Sequence, residues 1–222
     1  MPSDPNSQTW RWFRDTHFPD DRSQDTPVFR SAVNQPIQIH QKRNRKLIAH
    51  ASELDRLLKT EIDKLKAGIN DPAVRGLIYI MYSRDAHGEF DPAYVGVAEK
   101  LGRSGNLSGP LARSKGPFSR FGYDSLGHIG GISDALFSAT SKGYRRWPQR
   151  FFSLGANDDH VLSRPLFVWA KAWNSQNPVK IGDSLFPHCS LGFLEALLIF
   201  TLDSLYPNRL LNSKGMDRTI PN

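Results

Sequence analysis

The stretch that decides the fold is residues 76–96, GLIYIMYSRDAHGEFDPAYVG, in which two short apolar runs flank a polar segment. Both runs, 77–82 and 93–97, have the β-branched and aromatic composition that is typical of strands. Turn-forming residues fill the segment between them, and it is longer than a two-residue turn. The pattern therefore predicts two antiparallel neighbouring strands joined by a loop.

The two predicted strands carry one tyrosine each, Tyr79 and Tyr94, and the second strand contains Gly96 near its end. Side chains alternate between the two faces of a strand. Alternation predicts two sets on opposite faces: Leu77, Tyr79 and Met81 on one, and Ile78, Ile80 and Tyr82 on the other. Because Gly96 has no Cβ, it would let another backbone or a phosphate approach the end of the second strand.

The composition of the whole chain limits the classes of protein. Its 222 residues are enough to bury one good core. A net charge of +7 and a pI of about 9.6 favour a polyanionic partner such as nucleic acid. The single cysteine, Cys189, excludes an internal disulfide and fits a reducing cytoplasm. With no apolar run of about 18 residues, we expect a cytoplasmic protein without a membrane partner.

The first 75 residues divide into two predicted segments. Residues 1–40 are polar with irregularly spaced aromatics, which predicts an irregular arm that packs on the main domain or reaches a partner. From Gln41 to Ala67, apolar residues recur at three- and four-residue steps, a spacing that predicts an amphipathic helix ended by Gly68. The basic run at its start, KRNRK at 42–46, would follow a DNA backbone or lie in solvent.

Two later segments concentrate positive charge. Residues 97–116 are dense in glycine and serine, and their freed backbone amides and cations suit phosphate contacts, although a flexible surface loop has the same composition. The cations of this segment are Lys100, Arg103, Arg113 and Lys115. In 142–150, Arg145 and Arg146 would hold phosphates beside Trp147, or form a solvated loop that Trp147 anchors. A third strand is predicted at 166–173.

An apolar row from Leu191 onward predicts a mostly buried helix that ends before Pro207. Glu195 is flanked there by Leu194 and Leu197. A carboxylate in such surroundings needs a partner, a proton or a metal ion, unless it lies on the exposed edge of the helix.

These residues resemble the GIY-YIG nucleases. Leu77-Ile78-Tyr79 and Tyr94-Val95-Gly96 resemble the paired signature of that family, with Leu in place of the first Gly, and Glu195 follows in the expected order. The resemblance covers residues 76–215 and implies an α/β (α+β) domain with a small, mostly antiparallel three-stranded sheet flanked by helices. The arm 1–40, the helix segment 41–75 and a tail, 216–222, lie outside that domain.

The resemblance also implies catalytic roles. Arg120 would bind the scissile phosphate, and Arg103 is the alternative at a shorter spacing. A histidine or tyrosine beyond the arginine belongs to the proton relay, which gives His128 or Tyr123.

Asn212 would supply the family's asparagine, with Asn208 as the competitor. Glu195 would hold a single divalent cation, Mg²⁺ or Mn²⁺. Tyr79 would accept the proton of the attacking water if nearby cations favour its phenolate, and Tyr94 would orient the water or the phosphate.

The implied function is a metal-dependent endonuclease that hydrolyses DNA phosphodiester bonds. A restriction-like enzyme is the leading form, and a homodimer would suit cleavage of both strands of a palindrome. A repair nuclease that acts on branched or damaged DNA is the nearest variant. The leucine at the first motif position favours an alternative of another class, a non-catalytic nucleic-acid-binding domain on a degenerate GIY-YIG scaffold.

Overall fold

The computed structural model describes residues 4–18, 25–42, 44–68, 70–100, 128–138, 142–156 and 159–212. Five α-helices occur in these ranges: α1 (Pro5–His17), α2 (Ser52–Ala67), α3 (His128–Phe137), α4 (Arg146–Phe151) and α5 (Leu191–Leu205). A short 3₁₀ helix, Lys142–Tyr144, precedes α4. The strands are β1 (Thr26–Pro27), β2 (Ile39–Lys42), β3 (Arg45–Ile48), β4 (Val74–Arg84), β5 (Phe90–Glu99), β6 (Phe152–Leu154), β7 (His160–Leu162), β8 (Phe167–Asn174), β9 (Val179–Ile181) and β10 (Ser184–Phe186). The predicted mixed α+β class is confirmed.

The central sheet has the order β1-β8-β4-β5, and every described pairing within it is antiparallel. The hairpin predicted from residues 76–96 is confirmed as β4 and β5, and the predicted third strand is β8. The sheet has four strands instead of three, because Thr26 and Pro27 of β1 pair with the start of β8. Arg84 and Tyr82 both bind the Asp25 carboxylate, which ties the entry to β1 to the sheet.

The two faces of the sheet bury separate clusters of side chains, as the alternation predicts. One face carries Leu77, Tyr79 and Met81 and packs against α2, α3 and α4; we call this the tyrosine face. The other carries Ile78, Ile80 and Tyr82 and packs against α1 and α5; we call this the α5 face. The division matters for the site because each candidate residue belongs to one face.

The prediction of an irregular arm for residues 1–40 is wrong for α1. The Asp4 carboxylate accepts the Ser7 N–H at 3.1 Å, and Pro5 stands at the first helical position, so the helix has a capped start. Trp10 and Phe13, three residues apart, are buried on the α5 face. Side-chain packing thus stabilises a helix whose polar residues have weak helix propensity.

The predicted helix from Gln41 is also wrong in its first part. Strands β2 (39–42) and β3 (45–48) pair antiparallel in this part, and α2 begins only at Ser52 and has Gly68 at its C-cap. Lys42 and Arg45 of the basic run are therefore paired residues of two strands, and Arg45 donates to both carboxylate oxygens of Asp134 on α3, at 2.9 and 2.8 Å. Its guanidinium belongs to an internal contact between two elements instead of a helix start.

The predicted helix after Ser190 is confirmed as α5, whose first turn the Ser190 hydroxyl caps by accepting the Phe193 N–H at 3.2 Å. It runs antiparallel to β5, because Leu191 lies against Gly76, the partner of Glu99, and Tyr206 packs on Phe90. Among the described helices, none combines the length and the apolar character needed to cross a membrane.

Candidate active site

A histidine held between two tyrosines lies on the tyrosine face. The Tyr79 hydroxyl and His128 Nε2 are 2.8 Å apart, and the Tyr144 hydroxyl and His128 Nδ1 are 3.0 Å apart. The three residues come from β4, α3 and the 3₁₀ helix, so only the folded chain brings them together. Two of the predicted catalytic residues, Tyr79 and His128, are thus in direct contact.

Two glycines make room for this arrangement. A Cβ at Gly96 would lie 2.3 Å from the Tyr79 hydroxyl oxygen and 2.7 Å from a ring carbon of Tyr94. A Cβ at Gly131 would lie 2.4 Å from the ring of Tyr144. Real Cβ contacts are longer than these distances, so both positions require glycine for close approach. Gly96 was expected to admit a backbone or a phosphate, and the group that it admits is the Tyr79 side chain.

The hydrogen bonds of His128 are directional. A neutral imidazole has one donor nitrogen and one acceptor nitrogen. One of its two tyrosine hydroxyls therefore donates to the ring, and the other accepts from it. Since a tyrosine hydroxyl can do either, Tyr79, His128 and Tyr144 form a chain along which a proton can shift without a change of geometry.

Tyr94 connects this chain to the surface. Its ring stacks on Tyr79 with centroids 6.0 Å apart and lies edge-on to His128 at 4.8 Å. Tyr79 is 0% exposed and His128 4%, whereas Tyr94 and Tyr144 are only half-buried. A substrate at this face therefore meets Tyr94 before it meets the Tyr79 hydroxyl.

Asn212 fixes the edge of β5 beside Tyr94. Its side-chain oxygen accepts the Val95 N–H at 3.1 Å, and its side-chain nitrogen donates to the Val95 carbonyl at 2.8 Å. The amide thus supplies the pairing that a neighbouring strand would supply, and Asn212 has a positioning role. Asn208, its competitor, is exposed and has a left-handed backbone with φ of 66°.

Glu195 lies half-buried on α5. It lies four positions after Leu191, and a helix rises about 6 Å over that distance, the length of roughly two strand residues. The antiparallel course of α5 therefore places Glu195 level with Val97, next to Gly96, but on the α5 face. Within the described ranges, no group of three or more His, Cys, Asp or Glu side chains could hold a metal ion.

The predicted DNA-binding cations have different positions. The Lys100 ammonium donates to the carbonyls of Gly68 and Asp71 at 3.0 and 2.7 Å, and the residue is 4% exposed. Two of its three N–H donors thus already serve the backbone after α2, which argues against a DNA contact, and the DNA-binding role of Lys100 stays a prediction. Arg145 and Arg146 are exposed. The predictions for Arg103, Arg113, Lys115, Arg120 and Tyr123 lie outside the described residues.

Sequence reasoning missed Tyr144, which it had treated only as part of a basic segment interleaved with aromatics. The one local signal is Gly131, a glycine inside a helix at a place where a larger side chain would displace the Tyr144 ring. That signal has no meaning until α3 and the 3₁₀ helix are packed together.

Comparison with known proteins identifies no relative: no protein-family model, no curated protein and no solved structure matches this chain. Function must therefore be inferred from the geometry of the chain itself.

Proposed function

We propose that this protein is a metal-dependent endonuclease of the GIY-YIG type, which hydrolyses DNA phosphodiester bonds. The observation that carries the proposal is the 2.8 Å contact between the Tyr79 hydroxyl and His128 Nε2, with Tyr94 stacked beside them. A tyrosine from each strand of the signature hairpin and a histidine from the following helix form one cluster. The net charge of +7 supports a polyanionic substrate.

The proposed chemistry begins with a proton transfer. A tyrosine hydroxyl keeps its proton at neutral pH, so Tyr79 needs a proton acceptor before it can act as a base. In the proposal, Tyr79 donates its proton to His128 Nε2 while its oxygen takes a proton from the attacking water. His128 is then an imidazolium whose Nδ1–H donates to the Tyr144 oxygen, which offsets part of the added charge.

Two further roles complete the proposal. The Glu195 carboxylate has the oxygen donors that Mg²⁺ or Mn²⁺ prefers, and one protein carboxylate is sufficient because Mg²⁺ usually keeps several waters. The bound cation would neutralise charge that develops on the phosphoryl oxygens. β5 is the last strand of the described sheet, and the proposal requires the Glu195 side chain to extend around this edge toward Gly96. Arg120 is proposed to bind the scissile phosphate.

Burial favours a second candidate function. Tyr79 is completely buried and His128 nearly so, and a buried hydrogen-bonded cluster can also serve only to stabilise a core. In that case the chain is a non-catalytic nucleic-acid-binding domain, whose exposed cations, such as Arg145 and Arg146, contact phosphates.

A cleavage assay separates the two candidates. Supercoiled plasmid DNA and branched duplexes are incubated with the protein and Mg²⁺ or Mn²⁺, and duplex binding is measured in parallel in EDTA. The variants Tyr79→Phe and Glu195→Gln remove one hydroxyl and one charge. Their matched controls are Tyr82→Phe, the same change on the α5 face, and Asp203→Asn, the same kind of change on the same helix.

The nuclease proposal requires cleavage by the wild type and by both controls, and a loss of about 100-fold or more in Tyr79→Phe and Glu195→Gln, with duplex binding retained. Discrete plasmid fragments indicate a restriction-like enzyme, and a preference for branched duplexes indicates a repair nuclease. If the wild type binds duplexes but cuts none of these substrates with either metal, the binding-domain alternative replaces it.

A further inference from the structure

A second basic cluster lies beside the tyrosine face. Four arginines line a cleft of about 230 Å³: Arg146, Arg150, Arg164 and Arg209. They come from α4, from the loop before β8 and from the turn after α5. Arg146 and Arg150 belong to the basic segment 142–150, whereas Arg164 and Arg209 lie outside the basic segments that the sequence analysis singled out.

One buried carboxylate holds the cleft together. Asp91, whose side chain is 8% exposed, pairs with Arg150 at 2.9 Å and with Arg164 at 2.7 Å. The Arg209 Nε is 3.8 Å from an oxygen that Arg150 already occupies. Arg150 also donates to the carbonyls of Pro92 and Arg209. Asp91 thus orients Arg150 and Arg164, and its own contact with Arg209 is long.

The cleft carries uncompensated positive charge. Among the described residues that line the cleft, four are arginines and none is acidic. Asp91 pairs with Arg150 and Arg164, and the Asp85 carboxylate also interacts with Arg164, so the described part of the cleft keeps a positive surplus. Burial lowers the pKa of Arg150, and Arg164 and Arg209 add to this effect while Asp91 opposes it. A concave surface with several arginine forks and a positive surplus suits a phosphate group, whose oxygens accept paired N–H donors.

The cleft adjoins the candidate active site. Trp147, which contacts Tyr94 with ring centroids 6.0 Å apart, lies on α4 between Arg146 and Arg150. Along β5, Asp91 precedes Tyr94 by three residues, which corresponds to about 10 Å of strand. The cleft and Tyr94 are therefore close enough for one nucleic-acid strand to contact both.

We propose that this arginine cleft binds a backbone phosphate of the nucleic acid and so sets the course of the strand past Tyr94. The inference rests on the proposed function for the identity of the polyanion. Arg146 and Arg209, the most exposed of the four arginines, make the contact, while Arg150 and Arg164 are held by Asp91 and form the floor of the cleft.

Binding of a labelled 20-base-pair duplex tests the proposal, measured by fluorescence anisotropy in EDTA from 50 to 300 mM NaCl. The test variant is Arg146→Gln combined with Arg209→Gln, which leaves both partners of Asp91 in place. The control is Arg11→Gln combined with Lys59→Gln, two exposed cations on α1 and α2, so that both variants lose two charges. In a second arm, thermal melting compares 10 mM inorganic phosphate with chloride at equal ionic strength.

We expect this double variant, the cleft variant, to bind the duplex about tenfold more weakly at 100 mM salt. Its log–log salt slope should be shallower by about 0.9, the value for one lost phosphate contact. The control should keep the wild-type slope. Equal slopes in the two variants overturn the proposal. If phosphate raises the melting temperature of the wild type but not of the cleft variant, while duplex binding is equal in both, the cleft binds free phosphate and the backbone assignment is wrong.

The test is independent of catalysis because EDTA removes the metal. If the wild type cuts no DNA but the cleft variant shows the slope change, the cleft proposal stands and only the nuclease proposal fails. If the wild type cuts DNA but the cleft variant binds duplex like the control variant, only the cleft proposal fails. If the wild type binds no duplex at 50 mM salt, both proposals fail.

Discussion

Gly96→Ala tests whether close packing at the end of β5 holds the candidate active site. The added Cβ would lie 2.3 Å from the Tyr79 oxygen and 2.4 Å from Cζ of the same ring. Tyr79 has no room to yield, because it is completely buried and its hydroxyl is bound to His128. The backbone of Gly96 is not left-handed, so the cost of the substitution comes from packing and not from the backbone.

The expected cost can be worked from two contributions. Overpacking a filled core typically costs about 1–3 kcal/mol. Displacement of the Tyr79 hydroxyl from His128 adds about 1 kcal/mol for the lost hydrogen bond. The sum, roughly 2–4 kcal/mol, corresponds to a fall in melting temperature of about 5–15 °C for a chain of this size. If the nuclease proposal is right, cleavage also falls, because Tyr79 no longer reaches His128.

Urea denaturation followed by tryptophan fluorescence measures the change in free energy of unfolding. Gly143→Ala is the matched control, because a Cβ there meets nothing within 4 Å, and we expect a change below about 0.5 kcal/mol. A Gly96→Ala protein whose stability also lies within 0.5 kcal/mol of the wild type would refute the reasoning, since Tyr79 would then have space to move.

Three other predictions concern single groups. Burial, followed by the nearby Lys171, lowers the pKa of His17 to about 4 from 6.5. Between pH 6.5 and 4 the unfolded chain therefore binds a proton that the folded chain does not, so the free energy of unfolding should fall as the pH drops through this range. Urea titrations should show a weaker pH dependence for His17→Phe. Burial raises the pKa of Cys189 to about 11, so Ellman's reagent should label this thiol only after unfolding, and rapid labelling of the native protein would contradict that burial. Lys100→Met should lower the free energy of unfolding by about 1–3 kcal/mol, because the Gly68 and Asp71 carbonyls lose their donor. It should leave the salt slope of duplex binding unchanged. A shallower slope would show that Lys100 contacts DNA.

The elements that sequence reasoning predicted well depend on local periodicity. The alternation along 77–82 separates the tyrosine face from the α5 face, because each residue of a strand points opposite to the next whatever surrounds it. The last helix followed from an apolar row of helical spacing, and Gly68 marked the end of α2.

The elements that it missed depend on partners distant in the chain. Helix α1 has a polar sequence, and it forms because Trp10 and Phe13 find a cluster contributed by β4, β5, β8 and α5. The run 42–46 was assigned to a helix because of the apolar spacing along 41–67, but Arg45 has its partner, Asp134, 89 residues further on. Local composition contains no information about such pairs.

For the site, the sequence by itself determined which residue types are available: two tyrosines at a hairpin spacing, one glutamate within a leucine-rich helix, and a surplus of basic residues. Only the tertiary structure decided their roles. It joined His128 to Tyr79 and Tyr144, attached Asn212 to the edge of β5, enclosed Lys100 and gathered arginines around Asp91. The physical reason is that hydrogen bonds and ion pairs act over about 3 Å in space, and which groups come that close depends on how the elements pack.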